Sequence, residues 1–76
     1  MASVYLLANT LPGKEKSTRD TLRGTNGVER ADIITGQYDI AAVLEAKDTN
    51  TIFNKILKDI RKIKGITRTE TFVSVE

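Results

Sequence analysis

Seventy-six residues carry 12 Lys and Arg against 10 Asp and Glu, a formal net charge of +2 and a pI near 9.1; the dispersed, mild basic bias argues against a dedicated nucleic-acid binder. Cysteine and histidine are both absent, which removes disulfides, thiolate and imidazole metal ligands, and the commonest general base, leaving only carboxylates to hold a metal. One small domain, 1–76, is all this length allows, and with no covalent or metal staple the stabilisation left to it is association with another copy.

In chain order, residues 3–9 form an apolar run that predicts a buried strand, closed by Leu11-Pro12-Gly13. Residues 14–23 predict a helix stopped at Gly24, with a thin apolar face of Leu22 beside Thr18 and Thr21. The turn Thr25-Asn26-Gly27 leads into a second strand over residues 28–35. Gly36-Gln37 then predicts a tight hairpin, because glycine at the first central position of a type II′ turn adopts positive φ freely, and a third strand follows over residues 40–44. The second helix has the clearest periodicity: Ile52, Phe53, Ile56, Leu57, Ile60 and Ile63 share one face, and Lys55, Lys58, Asp59 and Lys62 the other. Residues 48–51 offer capping side chains and Gly65 the stop. The alternating, β-branched run 66–75 predicts the last strand. No apolar run approaches the roughly 20 residues of a bilayer span, and the first residues read as a strand start rather than a secretory leader. The expectation is therefore a soluble cytoplasmic protein without a membrane partner.

The order strand, helix, strand, strand, helix, strand repeats itself, residues 27–34 echoing residues 65–72 after each helix. A doubled βαβ unit of this kind predicts an α+β, ferredoxin-like βαββαβ plait: a four-stranded antiparallel sheet with two helices on one face. Two helices cover one side of a sheet, yet the first and third strands are apolar on both. Val4, Leu6 and Ala8 oppose Tyr5 and Leu7, and Ile40, Ala42 and Leu44 oppose Ala41 and Val43. The uncovered face has to meet another surface, most simply the same face of a second copy, so a homodimer through the sheet is expected.

The loop Gly36-Gln37-Tyr38-Asp39 is the best-equipped segment chemically, with a phenol and a carboxylate beside an open backbone. Taken alone it also reads as an ordinary turn. Residues 35–40, Thr-Gly-Gln-Tyr-Asp-Ile, followed by residues 64–71, Lys-Gly-Ile-Thr-Arg-Thr-Glu-Thr, resemble the effector (RAM) domain of the Lrp/AsnC transcription regulators. The resemblance runs over residues 4–75. It implies an archaeal or bacterial module of transcription regulation that dimerises through its sheets, associates further into rings of dimers, and binds small effectors, usually amino acids, at the contacts between dimers. It places ligand-binding roles on Gly36, Gln37, Tyr38 and Asp39 and, on the last strand, on Thr67 and Thr69. An amino acid would offer its ammonium to Asp39 and its carboxylate to backbone N–H groups or a threonine hydroxyl. Strand propensity explains Thr67, Thr69 and Thr71 equally well, and cross-strand pairing is the reading for Arg68 and Glu70.

Full regulators of that family begin with a DNA-reading helix-turn-helix, for which this sequence leaves no room, so the resemblance is to the stand-alone RAM proteins. These act through self-association or through a full-length Lrp/AsnC regulator, without specific DNA binding of their own. No catalytic residue, metal or cofactor is expected, and the protein is read as a non-enzyme. An ACT-like amino-acid sensor is the nearest alternative, Leu11-Pro12-Gly13 weakly resembling its first turn. A dimeric α/β-barrel enzyme shares the topology but lacks here the histidine, metal or ring stack such chemistry uses. An RNA-recognition motif would need aromatic rings on the third strand, where none occurs.

Overall fold

Strand β1 (Ala2–Thr10) buries Val4, Leu6 and Ala8 completely and turns Tyr5 and Leu7 to its other face. The computed structural model, which describes residues 1–75, continues with α1 (Glu15–Arg23), β2 (Val28–Ile33) and β3 (Ile40–Ala46). Helix α2 (residues 49–61) and β4 (Ile66–Val73) complete it. The sheet order is β2-β3-β1-β4, every neighbouring pair antiparallel, which is the ferredoxin-like plait. Register pairs Leu6 with Ala42 and Thr71, so the even-numbered residues of β1 share a face with Ile40, Ala42 and Leu44 of β3. Leu22 of α1 and Ile52, Ile56, Leu57 and Ile60 of α2 join that same cluster. Both helices therefore lie on one side, and the side bearing Tyr5, Leu7, Ala41, Val43 and Phe72 has no covering layer among the described residues.

Helix α1 carries Glu15 in its first turn and Arg23 in its last, each favourable to the helix dipole. Leu22 and Thr18 are its buried residues, whereas Thr21, grouped with them by spacing, is exposed. Helix α2 is capped by Asp48, whose Oδ1 accepts from the Thr51 N–H and hydroxyl, both at 2.7 Å. The helix is not α throughout. After Thr49–Thr51 it widens into a π turn over Ile52–Ile56, where the Leu57 N–H reaches back to Ile52 O, before resuming α geometry over Leu57–Arg61. The wide turn brings Ile52, Ile56 and Leu57 all onto the core. Phe53, expected on the apolar face, is displaced to its margin and is 36% exposed, and Ile63 lies past the helix end, half-buried.

The expected two-residue hairpin is absent. Strand β2 ends at Ile33, which pairs with Ile40, and residues 34–39 form a six-residue loop. Gly36 does take a positive φ of 120°, though away from type II′ geometry. Strand β4 likewise ends at Val73 rather than residue 75. Gly27 is required more stringently: φ is 91° and an added Cβ would overlap Ile56 Cδ1 and Cγ1 in the core. Gly27→Ala is expected to destabilise the fold by about 1–3 kcal/mol through strain and overpacking. Gly24→Ala, where an added Cβ meets nothing closer than 3.7 Å at negative φ, is expected to stay within about 0.5 kcal/mol. Urea denaturation of the two variants checks the contrast, and equal midpoints would contradict it.

Candidate functional site

The 34–39 loop is fastened at its base. The Ile34 N–H donates to Asp39 O at 2.9 Å, and the Asp39 N–H donates to Ala8 O at 3.0 Å. Asp39 Oδ2 accepts from the Thr10 N–H at 2.8 Å and from the Thr10 hydroxyl at 3.4 Å. Thr10 stands past the end of the β1–β3 ladder, which closes at Ala8–Ile40, so the carboxylate replaces a missing strand partner. Asp39 Oδ1 has no hydrogen-bond partner among the described residues. Beyond this base the tip is open: Gln37 is exposed, and nothing lies within 4 Å of a Cβ placed on Gly36.

Tyr38 leaves the tip toward β4. Its hydroxyl donates to Glu70 Oε1 at 2.6 Å, and Arg68 Cζ stands 6.0 Å from its ring centroid. Register explains the meeting, since Glu70 lies opposite Leu7 and Arg68 opposite Asn9, on the face the helices leave open. Arg68 and Glu70, expected to pair across strands, turn instead to the same phenol. Arg68 makes no ion pair with a described residue. The bond to Glu70 raises the Tyr38 pKa above the ordinary phenol value of 10.0, helped by partial desolvation and the carboxylate charge and opposed by Arg68.

The two threonines named from sequence do not share this cluster. Thr69 lies opposite Ala8, on the helix-covered face and half-buried, while Thr67 is exposed beside the β1–β4 register shift at Asn9 and Thr10. The structure therefore gathers Tyr38 with Arg68 and Glu70, ties Asp39 to Thr10, and leaves Thr69 across the sheet. Thr10 was not foreseen. Its signal is the polar pair Asn9-Thr10 that closes an apolar run.

Alongside the cluster runs the open sheet face. Tyr5 is 51% and Phe72 47% exposed there, and a depression of about 220 Å³ is floored by Leu7, Ala41 and Val43. Its rim holds Asp32, bonded to Arg30 Nε at 2.6 Å and to Arg23 at 3.4 Å; the Arg30 hydrogen bond holds the Asp32 carboxyl below its usual range. Among the described residues no acidic group clusters as metal ligands would, and no helix is long and apolar enough to cross a membrane.

The Lrp/AsnC ligand binding domain matches residues 3–76. Hypothetical protein PHS023 from Pyrococcus horikoshii superposes with a TM-score of 0.91 at 26% identity, over all of this chain and 92% of that one. The transcriptional regulator NMB0573 of Neisseria meningitidis, solved as its L-Met complex, shares the fold at a TM-score of 0.81 and 13% identity, over 99% of this chain and 50% of that one. Homocitrate synthase of Sulfurisphaera tokodaii is 44% identical over 45 residues, 59% of this chain. The chain spans about a tenth of the length of the homocitrate synthases it matches.

The Tyr38–Glu70 bond is accessible to titration. Neutral Tyr38 is favoured by folding, so the bond contributes in full below pH 10.0 and is lost as pH rises through the raised folded-state pKa. In a Tyr5→Phe background, ultraviolet titration of the remaining phenol is expected to give a midpoint that Glu70→Gln moves down toward 10.0. An unmoved midpoint would contradict the hydrogen bond.

Proposed function

The chain belongs to the Lrp/AsnC ligand binding domain family, and on that premise we propose that it is an effector-sensing module whose ligand is an amino acid bound where subunits meet. Its output is self-association or association with an Lrp/AsnC-type regulator. The observation that carries the reading is the Tyr38 cluster: an open loop tip, a guanidinium with no ion pair and a carboxylate meet at the margin of an apolar face. A zwitterion requires both signs of charge within a few ångströms, and that margin supplies them. The ligand carboxylate goes to Arg68 and to the backbone N–H groups of Gly36 and Gln37, and its ammonium to Asp39 Oδ1 and Glu70. Tyr38 orients the two charged side chains, and Thr67 closes the site from β4. Thr69 contributes by packing beneath the strand, since its register faces the helices. The solved complex of NMB0573 with L-Met supports the choice of an amino acid.

The second copy follows from the open face. Tyr5, Leu7, Ala41, Val43 and Phe72 form an apolar surface in a chain too small to leave it to water without cost, and the same face of another copy is its partner in this reading. The 44% identity to a tenth of homocitrate synthase favours a second output, in which the module reports effector binding to a biosynthetic enzyme rather than to a regulator.

Light scattering across a dilution series is expected to give a dimer or a multiple of it, and Leu7→Lys to dissociate it; a folded monomer of the unmodified chain at micromolar concentration would overturn the dimer. A thermal-shift screen of the common amino acids is expected to find a stabilising ligand by mass action. Arg68→Ala then weakens its binding by about tenfold to a hundredfold, the worth of a charge-assisted hydrogen bond, while Lys58→Ala on the exposed face of α2 leaves it unchanged. Undiminished affinity in Arg68→Ala, measured by calorimetry, would remove the cluster from the site.

A further inference from the structure

On the opposite side of the sheet, a cleft of about 450 Å³ opens between α1 and the turn that joins α2 to β4. Leu11, Lys14, Thr18, Ile63, Lys64 and Gly65 form its walls and floor, with the outer hydroxyl groups of α1 at its mouth. The walls approach closely because Gly65 has no side chain: an added Cβ would overlap Thr18 Oγ1 and stand 3.4 Å from Lys14 Cβ. The Leu11 N–H donates to Gly65 O at 2.9 Å, which fixes the turn against the start of the helix.

Thr18 is the unusual member. It is 2% exposed, and its hydroxyl makes no hydrogen bond to any described residue. Its neighbours behave otherwise. Ser17 returns its proton to Lys14 O at 3.2 Å, Thr21 to Ser17 O at 2.9 Å and Thr25 to Thr21 O at 2.8 Å, the ordinary fate of a hydroxyl on a helix. No buried side-chain oxygen among the described residues lacks a partner, so the small exposed part of Thr18 leaves its hydroxyl open to the cleft that it lines, where water or a ligand group completes it.

The charge around the cleft is of one sign. Neither Lys14 nor Lys64 makes an ion pair with a described residue, and no carboxylate lines the walls. The surroundings reinforce this. Residues 14–23 and 49–64 hold nine Lys and Arg against three Asp and Glu, whereas the remaining chain holds three against seven. The helix layer is therefore a positive surface on a nearly neutral protein, and it draws anions toward the cleft.

We propose that this cleft binds a small organic anion. Its carboxylate or phosphate group is held by the Lys14 and Lys64 ammonium groups and accepts the Thr18 hydroxyl proton, while its aliphatic part lies on Leu11 and Ile63. Such a ligand completes the one open hydroxyl, neutralises two unpaired cations and covers the apolar part of the walls. The site is independent of the Tyr38 cluster, which lies on the open sheet face and reads a zwitterion, so either proposal can fail without the other.

The test is a titration of isotopically labelled protein, followed by amide chemical shifts, with glycerol 3-phosphate, butanoate and glycerol as the phosphate, carboxylate and neutral probes. At least one anion is expected to give saturable shifts confined to residues 14–18 and 63–65, weakening with added salt, while glycerol gives none. The probe that saturates identifies the headgroup. Thr18→Val, which keeps the shape and deletes the hydroxyl, is expected to weaken that binding about tenfold. Lys14→Ala with Lys64→Ala is expected to abolish it, and Lys58→Ala to leave it as it was. The spectra themselves report whether each variant is folded. Absence of saturation by either anion up to about 10 mM, well into the range of weak small-molecule binding, would overturn the proposal. So would equal binding of glycerol, or unchanged affinity in the Lys14→Ala/Lys64→Ala variant.

Discussion

Residues 8–11 receive the attachments on which both sides of the molecule depend. Ala8 O accepts the Asp39 N–H, the Thr10 N–H donates to the Asp39 carboxylate, and the Leu11 N–H donates to Gly65 O. At this point the ladder to β3 has closed and β4 shifts register, so the backbone of β1 would otherwise present unpaired groups at its strand end. The Asp39 carboxylate meets that need in place of a strand. It accepts from the backbone and the hydroxyl of Thr10 together, and it ends the ladder while doing so. The 34–39 loop and the 63–65 turn are thus positioned by one stretch of backbone, although 26 residues separate Asp39 from Gly65 in sequence by way of a strand and a helix.

Much of this architecture was legible because the signals were local. Alternation in β1 and β3, the stop at Gly65 and the spacing of Ile52, Ile56 and Ile60 each depend on side chains within a few residues of one another. The apolar residues on both faces of β1 likewise anticipated a sheet face that no layer built from the described residues covers. The errors share a different cause. Gly36-Gln37 has the composition of a two-residue turn, but Asp39 is engaged by Thr10, 29 residues away, and that tertiary bond lengthens the loop to six residues. Phe53 fits a 3.6-residue period that the π turn interrupts. No property of Ile52 or Leu57 announces the wider turn.

The candidate site shows the same division. Residues 36–39 were found by composition, and Tyr38 does reach β4. Its partners, however, depend on which face each β4 residue takes, and that follows from the pairing of Leu7 with Glu70, two positions 63 residues apart. Thr69 is the counterpart: adjacent in sequence to both Arg68 and Glu70, it faces the opposite way because a strand reverses its side chains at every residue. Thr18 carries the lesson to the helix layer, where a threonine grouped with Leu22 as a thin apolar stripe is indeed buried, yet keeps its hydroxyl uncommitted.

The central place of β1 also governs when the molecule can be finished. The earliest of these four strands in the chain pairs with the latest, Val4 meeting Val73, and its other neighbour, β3, begins at Ile40. Neither contact exists in a nascent chain that stops short of those residues. Contacts of such long sequence separation slow folding, since loop closure precedes the reward. Until β4 arrives, β1 is an edge with free N–H and C=O groups along a largely apolar strand, the kind of template that recruits another chain. A strand that is central in the finished sheet thus keeps a free edge until the last of its partners has been made. Pairing of β4, more than any step before it, closes the window in which two incomplete copies can exchange strands.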